Sequence, residues 1–213
     1  MDYTEVKYID VNTGIDDVTS GSEIQPYQTI EYCVSQLTTS TPLVYIGKGI
    51  YYVDYFEQLT SYSKTITYIG QYNDTIIEVL KFDGREQRGA LNLYDCIVRS
   101  SNNVLPELFR FSGTDTINFY NVCFTKSLDG KSPKSYYFAM KESGNCYNCS
   151  FCSTVWVNNN NICNIYNSAV GTTYTEYMNL YDSPIGCKFD DNYFIVDENG
   201  MRNKLNNTSG VYS

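Results

Sequence analysis

Histidine is absent from this 213-residue chain. Without an imidazole, Ser-His-Asp and Cys-His nucleophilic mechanisms, His-ligated zinc and a His general base are all closed to it. Any chemistry falls to carboxylates, Lys, Arg, Tyr or Cys. Long apolar runs are missing too, and nothing approaches the roughly 18 residues of a membrane span. The opening MDYTEVKYIDVNTG has no basic stretch leading into an apolar one, so no export signal is expected. Folding in a cytoplasm is the expectation, with a secreted or cell-surface protein as the alternative. Basic residues are also few, 15 Lys and Arg against 24 Asp and Glu, leaving a formal net charge of −9. Such a field repels phosphate backbones and anionic headgroups, so neither nucleic-acid binding nor membrane insertion is expected.

Tyrosine is plentiful at 22 residues, and much of it follows a repeat. Asn, apolar, Tyr, Asn or Asp recurs as NLYD at 92–95, NFYN at 118–121, NCYN at 145–148, NIYN at 164–167 and NLYD at 179–182. Upstream, YIG occurs at 45–47 and 68–70. Aligning Ile46, Ile69, Leu93, Phe119, Cys146, Ile165 and Leu180 gives steps of 23, 24, 26, 27, 19 and 15 residues. Near-regular steps carrying short β-prone segments describe a solenoid, in which each coil buries its apolar face only by stacking on the next. Two-residue alternation turns the Leu93 column inward and Tyr94, Tyr120, Tyr147, Tyr166 and Tyr181 outward. Asp95, Asn121, Asn148, Asn167 and Asp182 then suit a one-residue left-handed bend that resets the phase, because Asn and Asp tolerate that conformation best after glycine.

The same columns absorb the cysteines. NCYNCSFC at 145–152 places three of the eight at three-residue steps. Yet Cys146 falls in the Leu/Phe/Ile column, Cys149 in line with Cys96 and Val122, and Cys123 in line with Ile97 and Ala169. They read as small buried hydrophobes. A metal cluster of Cys146, Cys149, Cys152 and Cys163, or disulfides, are the alternatives. No metal or cofactor is expected.

The first 40 residues have a different grammar. YIDVNTGIDD (8–17) is a strand running into a turn. PYQTIEYCVSQL (26–37) sets Ile30, Cys33, Val34 and Leu37 at helical spacing, and TPLVYIGKGIYYV (41–53) returns to strand. This order resembles the entrance of the pectate-lyase-like, right-handed parallel β-helix superfamily, with its "VD.N.G.D", "P..TI..A" and "I.V..G.Y" segments. The resemblance covers roughly residues 6 to 190. It implies an all-β, right-handed parallel β-helix with an N-terminal strand and capping helix over 1–40, coils over 41–189 and a C-terminal cap over 190–213. There FIVDENGMRNKL reads as a hairpin around Glu198-Asn199-Gly200.

In that superfamily, lyases pair calcium-binding carboxylates with a basic residue, and hydrolases use several Asp. KFDGREQRG (81–89) is the densest charged loop. Asp83, Arg85, Glu86 and Arg88 are therefore candidates for proton abstraction or for holding a sugar acid, against a solvated connection as the plainer reading. Asp16 and Asp17 are weaker candidates, against a turn or cap. The outward tyrosines fit a subunit interface, a glycan platform, or rings covered by the chain's own loops. Together these features imply a non-enzymatic structural or attachment protein of a phage or virus particle, a homotrimer whose partners are a cell-surface glycan or neighbouring virion subunits. The alternatives are a polysaccharide lyase or glycoside hydrolase, and a module of a bacterial surface adhesin.

Overall fold

The computed structural model describes residues 3–81, 89–100, 107–111, 116–126, 137–140, 144–151, 154–157, 163–166, 169–172, 188–190, 193–196, 201–204 and 209–211. Side chains are described at 3–80, 89–99, 116–124 and 144–149, Glu57 excepted.

At the entrance, side-chain carboxylates direct the backbone. Strand β1 (Glu5–Ile9) ends at Asp10, whose Oδ1 accepts the amides of Asn12 at 2.8 Å and Thr13 at 3.3 Å. Gly14 then passes so close to the Tyr27 carbonyl that a Cβ would overlap it, so glycine is required there. Asp16 accepts the amides of Gln28 and Thr29 at 2.9 and 3.0 Å and the Thr29 hydroxyl at 2.7 Å. Thr29 in turn caps helix α1 (Ile30–Ser35), its Oγ1 accepting the Tyr32 amide at 3.2 Å. The helix buries Ile30 and Cys33 as expected from their spacing. The outer edge of β1 is occupied by the 21–27 segment: Tyr8 N–H donates to Gly21 O, Tyr27 N–H to Tyr8 O and Asp10 N–H to Tyr27 O. A covered edge cannot template pairing with another chain.

Beyond the entrance the protein is all-β. One parallel ladder runs from β1 through β2 (Pro42–Ile46), β4 (Thr65–Ile69), β6 (Ala90–Ser100), β8 (Ile117–Lys126), β10 (Gly144–Tyr147) and β13 (Cys163–Tyr166) to β15 (Lys188–Asp190). A second links β3 (Gly49–Tyr55), β5 (Thr75–Lys81), the later halves of β6 and β8, β11 (Ser150–Phe151), β14 (Ala169–Thr172) and β16 (Tyr193–Val196). A separate three-stranded parallel sheet holds β7 (Glu107–Phe111), β9 (Tyr137–Met140) and β12 (Thr154–Val157). Two tail strands close the far end antiparallel: β17 (Met201–Lys204) on β16, forming the expected hairpin, and β18 (Ser209–Val211) on β15.

The phase reset is visible in the backbone. Asp95, Asn121 and Asn148 have φ of 53°, 56° and 54°, and each divides a first-ladder strand from its second-ladder continuation. Before the bend Leu93, Phe119 and Cys146 are fully buried. After it Cys96, Val98, Val122, Phe124 and Cys149 are buried as well. The inward columns thus join into one core, with Phe119 edge-on to Phe124 at 4.9 Å and to Phe56 at 6.4 Å. Cys33, Cys96, Cys123, Cys146 and Cys149 are free thiols, and all but Cys123 are buried.

Two sequence expectations need correction. Ile46 and Ile69 do not continue the Leu93 column. Tyr68, one residue before Ile69, pairs with Leu93, and Val44, two residues before Ile46, pairs with Tyr68. Tyr68 is therefore fully buried and donates its phenol to Leu59 O at 2.9 Å. That internal partner lets a Tyr occupy an inward position. Secondly, the rung after β13 is Lys188–Asp190, with Phe189 beside Ile165. Leu180 and Tyr181, in the 179–182 segment, lie outside the described residues.

Candidate functional site

The outward column is longer than the sequence repeat suggested. In register it reads Tyr8, Tyr45, Ile69, Tyr94, Tyr120, Tyr147, Tyr166 and Asp190. Tyr8 and Tyr45 were missed because aligning the two YIG segments by isoleucine placed the first rung two residues late and the second one residue late. Tyr166 takes its place by backbone register, and Tyr181 lies outside the described residues.

Strand stacking brings successive positions to within ring-stacking reach, since neighbouring strands lie about 4.8 Å apart. Tyr94 and Tyr120 stack with centroids 4.4 Å apart and planes 6° apart; Tyr120 and Tyr147 do so at 5.1 Å and 7°. Tyr8 and Tyr45 form a separate stack at 5.2 Å and 23°. All three rings from Tyr94 to Tyr147 are half-buried. Burial, reinforced by the Tyr120 phenol to which it is hydrogen-bonded, pushes the Tyr94 phenol up to about 12. Burial also raises Tyr120, with Tyr147 contributing. These phenols remain neutral donors and acceptors throughout the physiological range.

Beside the rings runs a chain of amides. Asn92 Nδ2 donates to Thr67 Oγ1 at 3.1 Å, Asn118 Nδ2 to Asn92 Oδ1 at 2.8 Å, and Asn145 Nδ2 to Asn118 Oδ1 at 2.7 Å. Every bond points toward the preceding rung, so the amide dipoles add and polarise one another. This chain holds the strands in register and fixes the outward direction of the tyrosines two residues later.

The stacking has a chemical consequence. Sugars pack against aromatic ring faces, but here both faces of Tyr120 and one face each of Tyr94 and Tyr147 are occupied by neighbouring rings. What the column from Tyr94 to Tyr147 presents outward is a row of ring edges and phenol groups. That surface suits another protein surface, with its flat apolar contacts and hydrogen bonds, better than it suits a pyranose.

A cavity of about 430 Å³ opens where the column is interrupted by Ile69. Tyr8, Tyr45 and Ile69 form its apolar wall, and Asp10, Glu23 and Gln71 are on its polar side. Asp10 spends Oδ1 on its turn, and its Oδ2 lies 3.3 Å from where a Gly47 Cβ would stand.

The other sequence candidates separate clearly. Asp83, Arg85, Glu86 and Arg88 lie outside the described residues. Asp16 is committed to Gln28 and Thr29, and Asp17 accepts the Thr19 amide and hydroxyl at 2.8 and 2.7 Å. Both are turn-forming residues. A carboxylate beside an arginine does occur elsewhere, at Glu78 and Arg99 on adjacent strands. Glu78 Oε2 accepts Arg99 Nε at 2.9 Å and a second guanidinium nitrogen, and both side chains are largely buried. Each satisfies the other, which is the arrangement of a structural pair. It escaped the sequence reading because Glu78 and Arg99 are 21 residues apart and become neighbours only through the ladder.

No family model matches the chain, and no curated protein does. Among solved structures, a rhamnogalacturonan lyase aligns over 78% of this chain and 68% of its own, at 12% sequence identity and a TM-score of 0.25. At that score the likeness is coarse.

Proposed function

We propose that this chain is a non-enzymatic parallel β-helix module of a virus or phage appendage, and that copies of it meet through the tyrosine column as a homotrimer. In the three repeats that begin at β6, β8 and β10, the two long ladders and the third sheet follow one another in chain order, as the three faces of a coil would, and this supports the β-helix reading. The observation that carries the assembly reading is the continuous stack from Tyr94 to Tyr147. It is a rigid, half-buried row of ring edges with neutral hydroxyls. Its members are preordered by ring contacts and by the amide chain, so little side-chain entropy remains to be lost on association. Tyrosine contributes most where one end is apolar and the other can hydrogen-bond.

The test is the solution mass of the purified chain by light scattering coupled to size exclusion. A trimer is expected, with Tyr120→Ala shifting the mass to monomer while the far-ultraviolet β spectrum persists. Tyr120→Phe, which keeps the stack and removes one hydroxyl, should weaken the trimer less. A wild-type chain that stays monomeric at high concentration, or a trimer indifferent to Tyr120→Ala, overturns the reading. In the monomer case the next measurement is a polysaccharide cleavage screen.

A further inference from the structure

Beyond assembly, we infer that the cavity at the Ile69 interruption is a binding site for an amine-bearing sugar. Three features converge there. First, Tyr45 has ring contact only with Tyr8 among the described residues and is 37% exposed, so the ring face directed toward Ile69 has no aromatic neighbour. Tyr120, between Tyr94 and Tyr147, has no such face. Secondly, two carboxylate residues, Asp10 and Glu23, also line the cavity. Glu23 is exposed and makes no hydrogen bond or ion pair among the described residues, and Asp10 retains Oδ2 without a partner. Thirdly, no basic side chain lines the cavity among the described residues. The lysines adjoining it in sequence are engaged elsewhere: Lys48 pairs with Asp74 at 2.7 Å, and Lys7 lies 3.7 Å from Glu5 and over the Tyr27 ring.

Two uncompensated carboxylates sharing a cavity with the exposed Tyr45 and the half-buried Tyr8 attract a cation with an apolar body. The net charge of −9 draws cations toward the surface as a whole. A volume of about 430 Å³ falls within the range of small-molecule sites. Gln71 and the Thr13 hydroxyl, both at the cavity, add neutral groups that can bond sugar hydroxyls. A lysine side chain shares the ammonium chemistry but has no ring to lie on Tyr45 and few groups for Gln71 and Thr13, so the amino sugar is the better match.

The deciding experiment is isothermal titration of the whole chain with a glucosamine oligosaccharide, its N-acetylated counterpart of equal length, and a lysine tripeptide. The glucosamine oligosaccharide is expected to bind best. Asp10→Asn preserves the Oδ1 acceptor of the turn, and Glu23→Gln touches no partner, so both should fold normally. Each should weaken binding about three- to tenfold, as loss of one charged contact does. Tyr45→Leu should remove detectable binding. Equal affinity for the N-acetylated sugar, equal affinity for the lysine tripeptide, binding that survives all three substitutions, or no binding at all would each overturn the assignment. The sugar site uses Tyr8 and Tyr45 and the assembly reading rests on Tyr94 to Tyr147, so the titration and the mass measurement probe different stretches of the column and either reading can fail without the other.

Discussion

Asn121 shows how much a single backbone angle decides. Its φ of 56° puts it in the left-handed region, where a Cβ crowds the carbonyl and costs roughly 1–2 kcal/mol. The side chain offsets part of that cost by donating to Asp95 Oδ1 at 2.9 Å, on the equivalent bend one rung earlier. Were this residue extended instead, the next strand would turn Val122 and Phe124, both buried, out to solvent. Asn121→Gly should therefore cost less than about 1 kcal/mol, losing the hydrogen bond but fitting the angle freely. Asn121→Val should cost about 2 kcal/mol or more, because a β-branched side chain fits the left-handed region worst. Urea midpoints for the two variants decide the matter, and equal values would mean the bend is not held by conformation at all. Asp95 and Asn148, at 53° and 54°, should rank substitutions in the same order.

At the scale of the strand ladder, the amide chain from Thr67 to Asn145 makes neighbouring rungs depend on one another. Asn118 is the midpoint, donating to Asn92 and accepting from Asn145. Asn118→Ala leaves the buried Asn92 Oδ1 without its donor, and a cost of about 1–3 kcal/mol is expected from urea denaturation. Asn118→Asp is more informative, since an ionised carboxylate there would face Asn92 Oδ1 as acceptor against acceptor. Its protonated form could donate, so the folded-state pKa of the new carboxyl is raised above its unfolded value. The variant's stability should be highest below the unfolded pKa and fall as pH rises through the folded one, and a pH-independent loss would refute the donor role. Much of this ladder was legible in the sequence. NLYD, NFYN, NCYN and NIYN carry the inward apolar residue, the bend and the tyrosine at constant offsets, and the structure stacks all four in register. The two YIG rungs were misaligned because both Tyr68 and Ile69 can be buried, and only the phenol's bond to Leu59 O decides which one is. The third sheet passed unnoticed because ELFRF, YFAM and TVWV share no residue pattern, and their likeness exists only in their pairing. The cavity was invisible for a related reason: Asp10, Glu23, Tyr45 and Gln71 come from separate segments, which the ladder brings together.

Along the first ladder the strands run from β1, whose edge the 21–27 segment covers, to β15, on which β18 pairs antiparallel. Each rung touches mainly its neighbours, so the cost of opening should depend on position rather than being shared evenly. The buried thiols report on this without any added label. Cys33 sits in α1 over the first rung, while Cys96 lies in the middle of the ladder. Burial pushes the Cys33 thiol up to about 12 and raises Cys96 well above its ordinary value. Neither forms appreciable thiolate in the folded protein at neutral pH, and thiolate is the reactive species. Labelling by a thiol reagent therefore requires opening, and its rate under conditions of fast reclosing measures the opening free energy at that residue. Releasing α1 exposes only Ile30, Cys33 and their contacts, whereas exposing Cys96 separates rungs that share Leu93, Phe119, Val122 and Phe124. Cys33 should thus label faster than Cys96, and with weaker dependence on urea because less surface is uncovered. Site-resolved labelling by mass spectrometry tests this directly. Identical rates with identical urea dependence would show that the entrance and the ladder open as one cooperative unit, and that the end of the stack is held as firmly as its middle.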